Sequence, residues 1–220
     1  MDDDCLKPDI FFSIEHYEHR ELFQIDQPVW NGLRELSKYF TSLKLGVQYA
    51  TLPKSCYLRN PSLIFIGKNT RIDPGVYLEG PCYIGEDCEI RHGAYVRPYS
   101  LIGNGCVIGH CTEIKSSILF DEVQAPHFNY VGDSILGNNV HLGAGVVLAN
   151  CRLDHQKIDV LVQGQRKSSH LSKFGSIIGD GSSLGCNSVV NPGILLGKNF
   201  MCYPGTCLLY TSDAADERSS

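Results

Sequence analysis

The chain of 220 residues has no surplus of positive charge: 19 lysines and arginines face 24 aspartates and glutamates, for a net charge of -5. A general nucleic-acid binder carries a basic face, so that class is set aside. Long apolar runs are also lacking. None approaches the roughly 18–20 residues that a membrane span requires, and the N-terminal MDDDCLKPD has the wrong charge for a secretory signal. These absences predict a cytoplasmic protein without a membrane span or a nucleic-acid partner. The first sixty residues contain no glycine-rich loop that could cradle nucleotide phosphates.

CxxC pairs are missing as well, although the chain has 10 cysteines. Cys82, Cys88 and Cys106 each precede an isoleucine by two positions, a slot held elsewhere by Thr70, Val76, Ala94, Ser100 and Thr112. That slot calls for a small side chain, and a free cysteine packs as a small hydrophobe. In a reducing compartment these are expected to be packed thiols, not bridges or metal ligands.

What the chain does have is a beat. Ile66, Ile72, Leu78, Ile84, Ile90, Val96, Ile102, Ile108 and Ile114 fall on every sixth residue, and Phe120 is the next in step. A period of six scatters side chains round an α-helix but suits short strands that turn a corner every six residues. Three such sides make a triangular coil of eighteen residues, and stacked coils pair at about 4.8 Å. The fold class is therefore mainly β, a parallel β-helix over residues 61–206. The beat resumes at Leu136, Leu142 and Leu148, then at Ile178, Leu184, Val190, Leu196 and Cys202. Residues 151–176 are expected to be a loop thrown out from the coil, with re-entry in register.

Residues 1–60 form a non-repetitive N-terminal segment. DQPVWNGLRELSKYFTSLKLG, from Asp26 to Gly46, reads as one amphipathic helix with Pro28 in its first turn and Gly46 at its stop. His16 and His19 stand at helical spacing just before it. At the other end, residues 207–220, beginning CLLYTSDAADE, abandon the repeat and look like translated sequencing adapter, an artefact tail.

Eighteen-residue coils stack Arg97 on Lys115. Two neighbouring cations repel unless an anion lies against them, so either a phosphate-bearing ligand or a salt-bridge network that includes Glu79 is implied. In QAPHFNY, Gln124–Tyr130, Pro126 is expected to end strand pairing and release His127 and Tyr130 beside Lys115. Histidine suits proton exchange near neutral pH. Gly143–Gly145 leave backbone amides approachable for a developing oxyanion, and Asn150 ends the strand that follows. His92 and His110 stack one coil apart. No third histidine is expected on their column, and no metal site is assigned.

The stretch Arg97–Asn150 carries an RP, an EIK, an H-x-x-Y-x-GD and a GAG followed by an asparagine. At this spacing it closely resembles the acetyltransferase domain of the bifunctional N-acetylglucosamine-1-phosphate uridyltransferases, which are hexapeptide-repeat acyltransferases. The longer LDHQKIDVLVQG is similar to the archaeal-type sugar-1-phosphate nucleotidyltransferases that also acetylate. The resemblance covers roughly residues 60–206. It implies a left-handed winding, a homotrimer with sites between subunits, and acetyl-CoA as co-substrate in amino-sugar metabolism leading to UDP-N-acetylglucosamine-type precursors. By the same resemblance His127 is the general base. Arg97, Lys115 and Tyr130 hold the sugar phosphate or nucleotide sugar, with His141 in the place of a substrate-binding asparagine. Ala144, Asn150 and Cys186 face the coenzyme. Cys151 replaces a tyrosine of the bacterial enzymes, and Gln156 and Asp159 replace loop lysines. The family's nucleotidyltransferase domain is not present in the chain, so no pyrophosphorylase chemistry is expected. The other reading is a non-catalytic module that binds a sugar nucleotide and partners a separate nucleotidyltransferase.

Overall fold

The computed structural model describes residues 3–162 and 164–209. From Tyr57 onward the chain winds through three parallel walls of stacked short strands. The first wall has seven strands, from Ile64–Ile66 to Ile194–Leu196. The second has seven, from Arg71–Ile72 to Met201–Cys202. The third has eight, from Tyr57–Arg59 to Cys207–Leu208. Successive coils pair in register, as in Ile66↔Ile84↔Ile102 on the first wall. Backbone bonds such as Tyr77 N–H to Ala94 O (3.0 Å) tie each coil to the next. The aliphatic beat fills the interior: Ile66, Leu78, Ile84, Ile90, Ile102, Ile108 and Ile114 are fully buried, each contributing about 1.5–3 kcal/mol of burial. Cys82, Cys88 and Cys106 pack among them as free thiols.

The beat does not fail where the sequence suggested. Ile102 pairs with Leu119 and Leu119 with Leu136, each seventeen residues on. Two coils are thus one residue short at the corner between the third and first walls. Leu119, Ala125, Val131 and Leu136 carry the interior column, all fully buried. Phe120, the apparent next step, faces out of the coil onto Tyr17 (ring centroids 3.9 Å), Phe12 (4.7 Å) and Phe23 (5.4 Å).

Pro126 does not end strand pairing either. Gln124–His127 pairs with Val107–His110 through Gln124↔Val107, Ala125↔Ile108 and His127↔His110. The missing proline amide thins the ladder only toward the following coil, where Gln124↔His141 is the one registered pair. Gly109 makes the fit possible, because a Cβ there would run into the Pro126 carbonyl.

The N-terminal segment caps the outer face of the first wall. Its helices are α1 (Pro8–Phe11) and α2 (Asn31–Tyr39). The helix expected from Asp26 to Gly46 is therefore only nine residues long. Thr41 and Ser42 turn their hydroxyls back onto the carbonyls of Lys38 (2.7 Å) and Tyr39 (2.8 Å), a local alternative to another helical turn. Phe11, Phe12, Trp30, Leu36 and Phe40 join outward-facing Leu101, Ile118, Phe120, Ile135 and Ile177 in a second core. His16 and His19 are not on a helix. His16 is exposed, while His19 is buried with its Nδ1 3.0 Å from the Tyr39 hydroxyl.

The excursion after Asn150 includes an antiparallel hairpin, Asp159–Val162 with Gln165–Ser168. Ile158, Val160 and Phe174 from this excursion are buried in the second core. The coil re-enters in register, with Leu136↔Ile178 and Leu148↔Val190. The repeat also runs past residue 206: Cys207–Leu208 pairs with Val189–Val190 and Leu208 is buried. The rest of the expected tail, residues 210–220, lies outside the described residues.

Candidate active site

Arg97 and Lys115 share a column on the third wall, as the repeat required, because Val96 pairs with Ile114 one position earlier. Each cation has a carboxylate. Arg97 Nη1 lies 2.8 Å from Glu113 Oε1, and Lys115 Nζ lies 2.8 Å from Asp133 Oδ2. The salt-bridge network foreseen with Glu79 therefore exists with other members. Glu79 accepts from the Tyr95 hydroxyl (3.0 Å) and lies 3.3 Å from Arg59 Nη1.

Asp133 is the hub. Its Oδ2 also accepts from Asn150 Nδ2 at 2.6 Å. Beside it Gly132 leaves room: a Cβ there would come within 2.7 Å of both Asn150 Nδ2 and Tyr130 Oη. Only a glycine lets the phenol and the amide close over that floor. Burial raises the Tyr130 pKa, and the Glu113 and Asp133 carboxylates add to it; hydrogen bonding from Asn150 and the Arg97 charge oppose. The phenol is thus held protonated, as a donor. Lys115 and Asp133 side chains are each 16% exposed, so an anion reaching the ammonium meets a partly desolvated charge. The structure groups Asn150 with Arg97, Lys115 and Tyr130, beside residues expected to hold the acceptor.

A second column occupies the corner between the second and third walls. His127 pairs with His110, and the His110 ring stacks on His92 at 5.5 Å and 15°. His127 is thus a third histidine on that column, contrary to expectation, because the coil beneath it has seventeen residues and not eighteen. Among the described residues, no three His, Cys, Asp or Glu side chains are grouped to hold a metal ion. One coil above His127 comes Ala144, where Gly145 N–H donates to His127 O at 3.0 Å. One coil higher is Cys186, placed by Leu142↔Leu184. Of the three GAG amides, Gly143 donates to Leu184 O (2.8 Å) and Gly145 to His127 O, which leaves the Ala144 N–H without a backbone acceptor among the described residues.

The two columns flank one strand. Tyr130 follows the histidine corner, and Gly132, level with Lys115, ends the strand two residues on, roughly 7 Å away. His141 is elsewhere: it is exposed on the second wall between Gln124 and Ser183 and does not join the third-wall cluster of its own chain. A cavity of about 160 Å³ opens beside Asp133, with Tyr99 and Ser116 at the corner, Leu33 and Ser37 of α2 on one side and Lys173 on the other. Glu113 and Asp133 were missed in the sequence, although both stand inside the motifs EIK and GD. An acid within two residues of a cation column was the available signal.

Structure and site define a triangular parallel solenoid with a cation column and a histidine corner facing one strand. The family model described as the GMPPB C-terminal domain matches residues 78–168. The chain is similar to the bifunctional sugar-1-phosphate nucleotidylyltransferase/acetyltransferase of Sulfurisphaera tokodaii, 39% identical over 42% of this chain and 23% of that protein. It is 35% identical to the bifunctional protein GlmU of Methanocaldococcus jannaschii, over 46% of this chain and 24% of the relative. The chain thus spans about a quarter of the length of these relatives. A putative uncharacterized acetyltransferase, YaiX of Escherichia coli, is 36% identical over 64% of this chain and 61% of its own length. Among solved structures, perosamine N-acetyltransferase of Caulobacter crescentus, bound to CoA and GDP-perosamine, aligns with a TM-score of 0.38 and 16% identity over 70% of this chain and 53% of that one.

Proposed function

We propose that the chain is an N-acetyltransferase that moves an acetyl group from acetyl-CoA to the amine of a sugar phosphate or nucleotide sugar. The observation that carries this reading is the corner column: His127 has directly above it an alanine whose amide lacks a backbone acceptor among the described residues, and Tyr130 and the Lys115 cluster follow on the next wall. In this mechanism Arg97 and Lys115 receive the acceptor's phosphate in exchange for part of their pairing with Glu113 and Asp133. Tyr130 donates to a sugar oxygen. His127 removes the amine's proton, and the nitrogen attacks the thioester carbonyl. The oxyanion that develops is met by the Ala144 N–H; as the carbonyl re-forms the carbon–sulfur bond breaks, the His127 imidazolium gives its proton to the departing sulfur, and coenzyme A leaves along Ala144 and Cys186.

The exposed His141 on the second wall supports a site completed between copies, since the second wall of a neighbouring copy could present it to the third-wall cluster. A homotrimer with left-handed coils accords with this and with the resemblance, as does a cytoplasmic location. Among the described residues no helix is long and apolar enough to cross a membrane. The neutralised cations also suit a module that only binds a sugar nucleotide and assists a separate nucleotidyltransferase.

His127→Ala decides between them. Coenzyme A release with glucosamine 1-phosphate and acetyl-CoA is expected to fall by about 10²–10⁴-fold while calorimetric binding of the sugar phosphate persists. Turnover near the wild-type rate would remove His127 from the mechanism.

A further inference from the structure

At the corner after the second wall, every coil needs a residue in the left-handed backbone region. The positions are Gly75 (φ 80°), Gly93 (75°), Cys111 (52°), Phe128 (52°), Gly145 (76°), Asn187 (57°) and Gly205 (77°). Glycine and asparagine adopt this conformation readily, whereas a Cβ followed by a bulky ring is disfavoured there. Phe128 is the one bulky side chain in the series. Burial does not account for it: Phe128 is 57% exposed, and its ring meets His110 edge-on, ring centroids 5.1 Å apart at 79°. A strained backbone that holds an exposed aromatic ring immediately after His127 points to a ligand contact.

We propose that Phe128 is a substrate-binding residue that packs its ring against the C–H face of the acceptor's pyranose. The choice of occupant follows from position. Phe128 is the corner residue between His127 and the strand Tyr130–Gly132, whose end is level with Lys115, so a hexose phosphate with its anion at the cation column would extend toward that corner. Pyranoses present one apolar C–H face beside their hydroxyls, and an exposed aromatic ring recognises that face while polar groups fix the rest. The identity of the ligand rests on the acyl-transfer reading; the strain and exposure of Phe128 do not.

Three variants test it: Phe128→Ala, Phe128→Gly and Cys111→Gly, the last at the equivalent corner one coil down. If the ring binds sugar, the KM for glucosamine 1-phosphate rises about tenfold in both Phe128 variants with kcat little changed, a loss of uniform binding. Cys111→Gly keeps the wild-type KM. Phe128→Gly melts about 2–4 °C above Phe128→Ala, because only glycine relieves the backbone. An unchanged KM in both Phe128 variants overturns the proposal. So does a loss of oligomer on sedimentation, which would give the ring to a contact between copies. If the wild-type chain acetylates no amino sugar, the functional reading fails on its own. Calorimetry of glucosamine 1-phosphate with the same variants then decides Phe128: about tenfold weaker binding upholds it, and equal binding refutes it.

Discussion

Acidification should loosen the N-terminal cap through one imidazole. His19 is 2% exposed, with its ring wedged edge-on against Tyr83 (4.6 Å), Tyr17 (5.5 Å) and Tyr39 (5.8 Å). Nδ1 meets the Tyr39 hydroxyl, and Nε2 is buried without a hydrogen-bond partner among the described residues. Burial lowers its pKa from 6.5 to about 4, opposed by the Glu21 charge. The native state therefore holds a neutral ring, while the unfolded chain takes up a proton as pH drops below 6.5. The stabilisation is complete above that value and is lost progressively down to about pH 4. The full span is worth about 3 kcal/mol, and about 2 kcal/mol of it is lost between pH 7.5 and 5. Trp30, the chain's single tryptophan, is buried in the same cap 6.2 Å from Phe174 and serves as the probe. Urea titrations followed by its fluorescence, for wild type and His19→Leu, isolate the histidine from the surrounding carboxylates. Wild type should lose about 2 kcal/mol more than the variant over that pH range. Parallel pH dependences in the two proteins would refute the reasoning.

Two further predictions concern the site's frame. Asp133→Asn leaves the Lys115 ammonium and the Asn150 amide without their shared carboxylate and should cost about 2–3 kcal/mol in urea denaturation; unchanged stability would mean the hub is not formed in solution. Gly109→Ala sets a Cβ against the Pro126 carbonyl, a backbone atom with nowhere to go. It should destabilise by about 3 kcal/mol or more, and a variant that melts with wild type would show that Pro126 lies elsewhere.

The repeat was legible because burial is strict. From Ile66 to Ile114 every sixth position is aliphatic, with smaller side chains, three of them cysteines, filling the slots two residues before. The break was misread for a physical reason: Leu119 and Phe120 are both apolar, one filling the coil and the other the second core under Tyr17, and hydrophobicity alone does not say which faces in. The α2 boundaries were overextended because Val29, Trp30, Phe40 and Leu43 are apolar for the sake of that same second core without being helical. The Arg97–Lys115 column could be read from eighteen-residue arithmetic, since no corner between them is short. The third histidine on the His92–His110 column could not, because the shortened coil lies between His110 and His127. Glu113 lies two residues before the column and Asp133 one residue after it, where period gives no guidance and side-chain reach decides.

The shortening that hides the beat also builds the site. In the full-length corner, Arg97, Pro98 and Tyr99 precede Ser100, whose hydroxyl donates to Arg97 O at 2.7 Å. In the two shortened corners one residue is gone, and Ser117 and Ser134 donate to Lys115 O and Gly132 O, each at 2.8 Å. The buried serines form a ladder, with the Ser134 amide donating to Ser117 Oγ (3.1 Å) and the Ser176 amide to Ser134 Oγ (3.0 Å). The residue before the serine takes a positive φ in all three corners, Tyr99 (62°), Ser116 (47°) and Asp133 (48°), and the shortened corner sets Asp133 next to the residue level with Lys115. Aspartate tolerates that region better than most residues. Turned this way, Asp133 brings its carboxylate to Lys115 and Asn150. A corner one residue longer would carry the carboxylate away from the ammonium, so the loss of rhythm at Ile114–Leu119 and Val131–Leu136 marks where the coil trades regularity for a charged pocket.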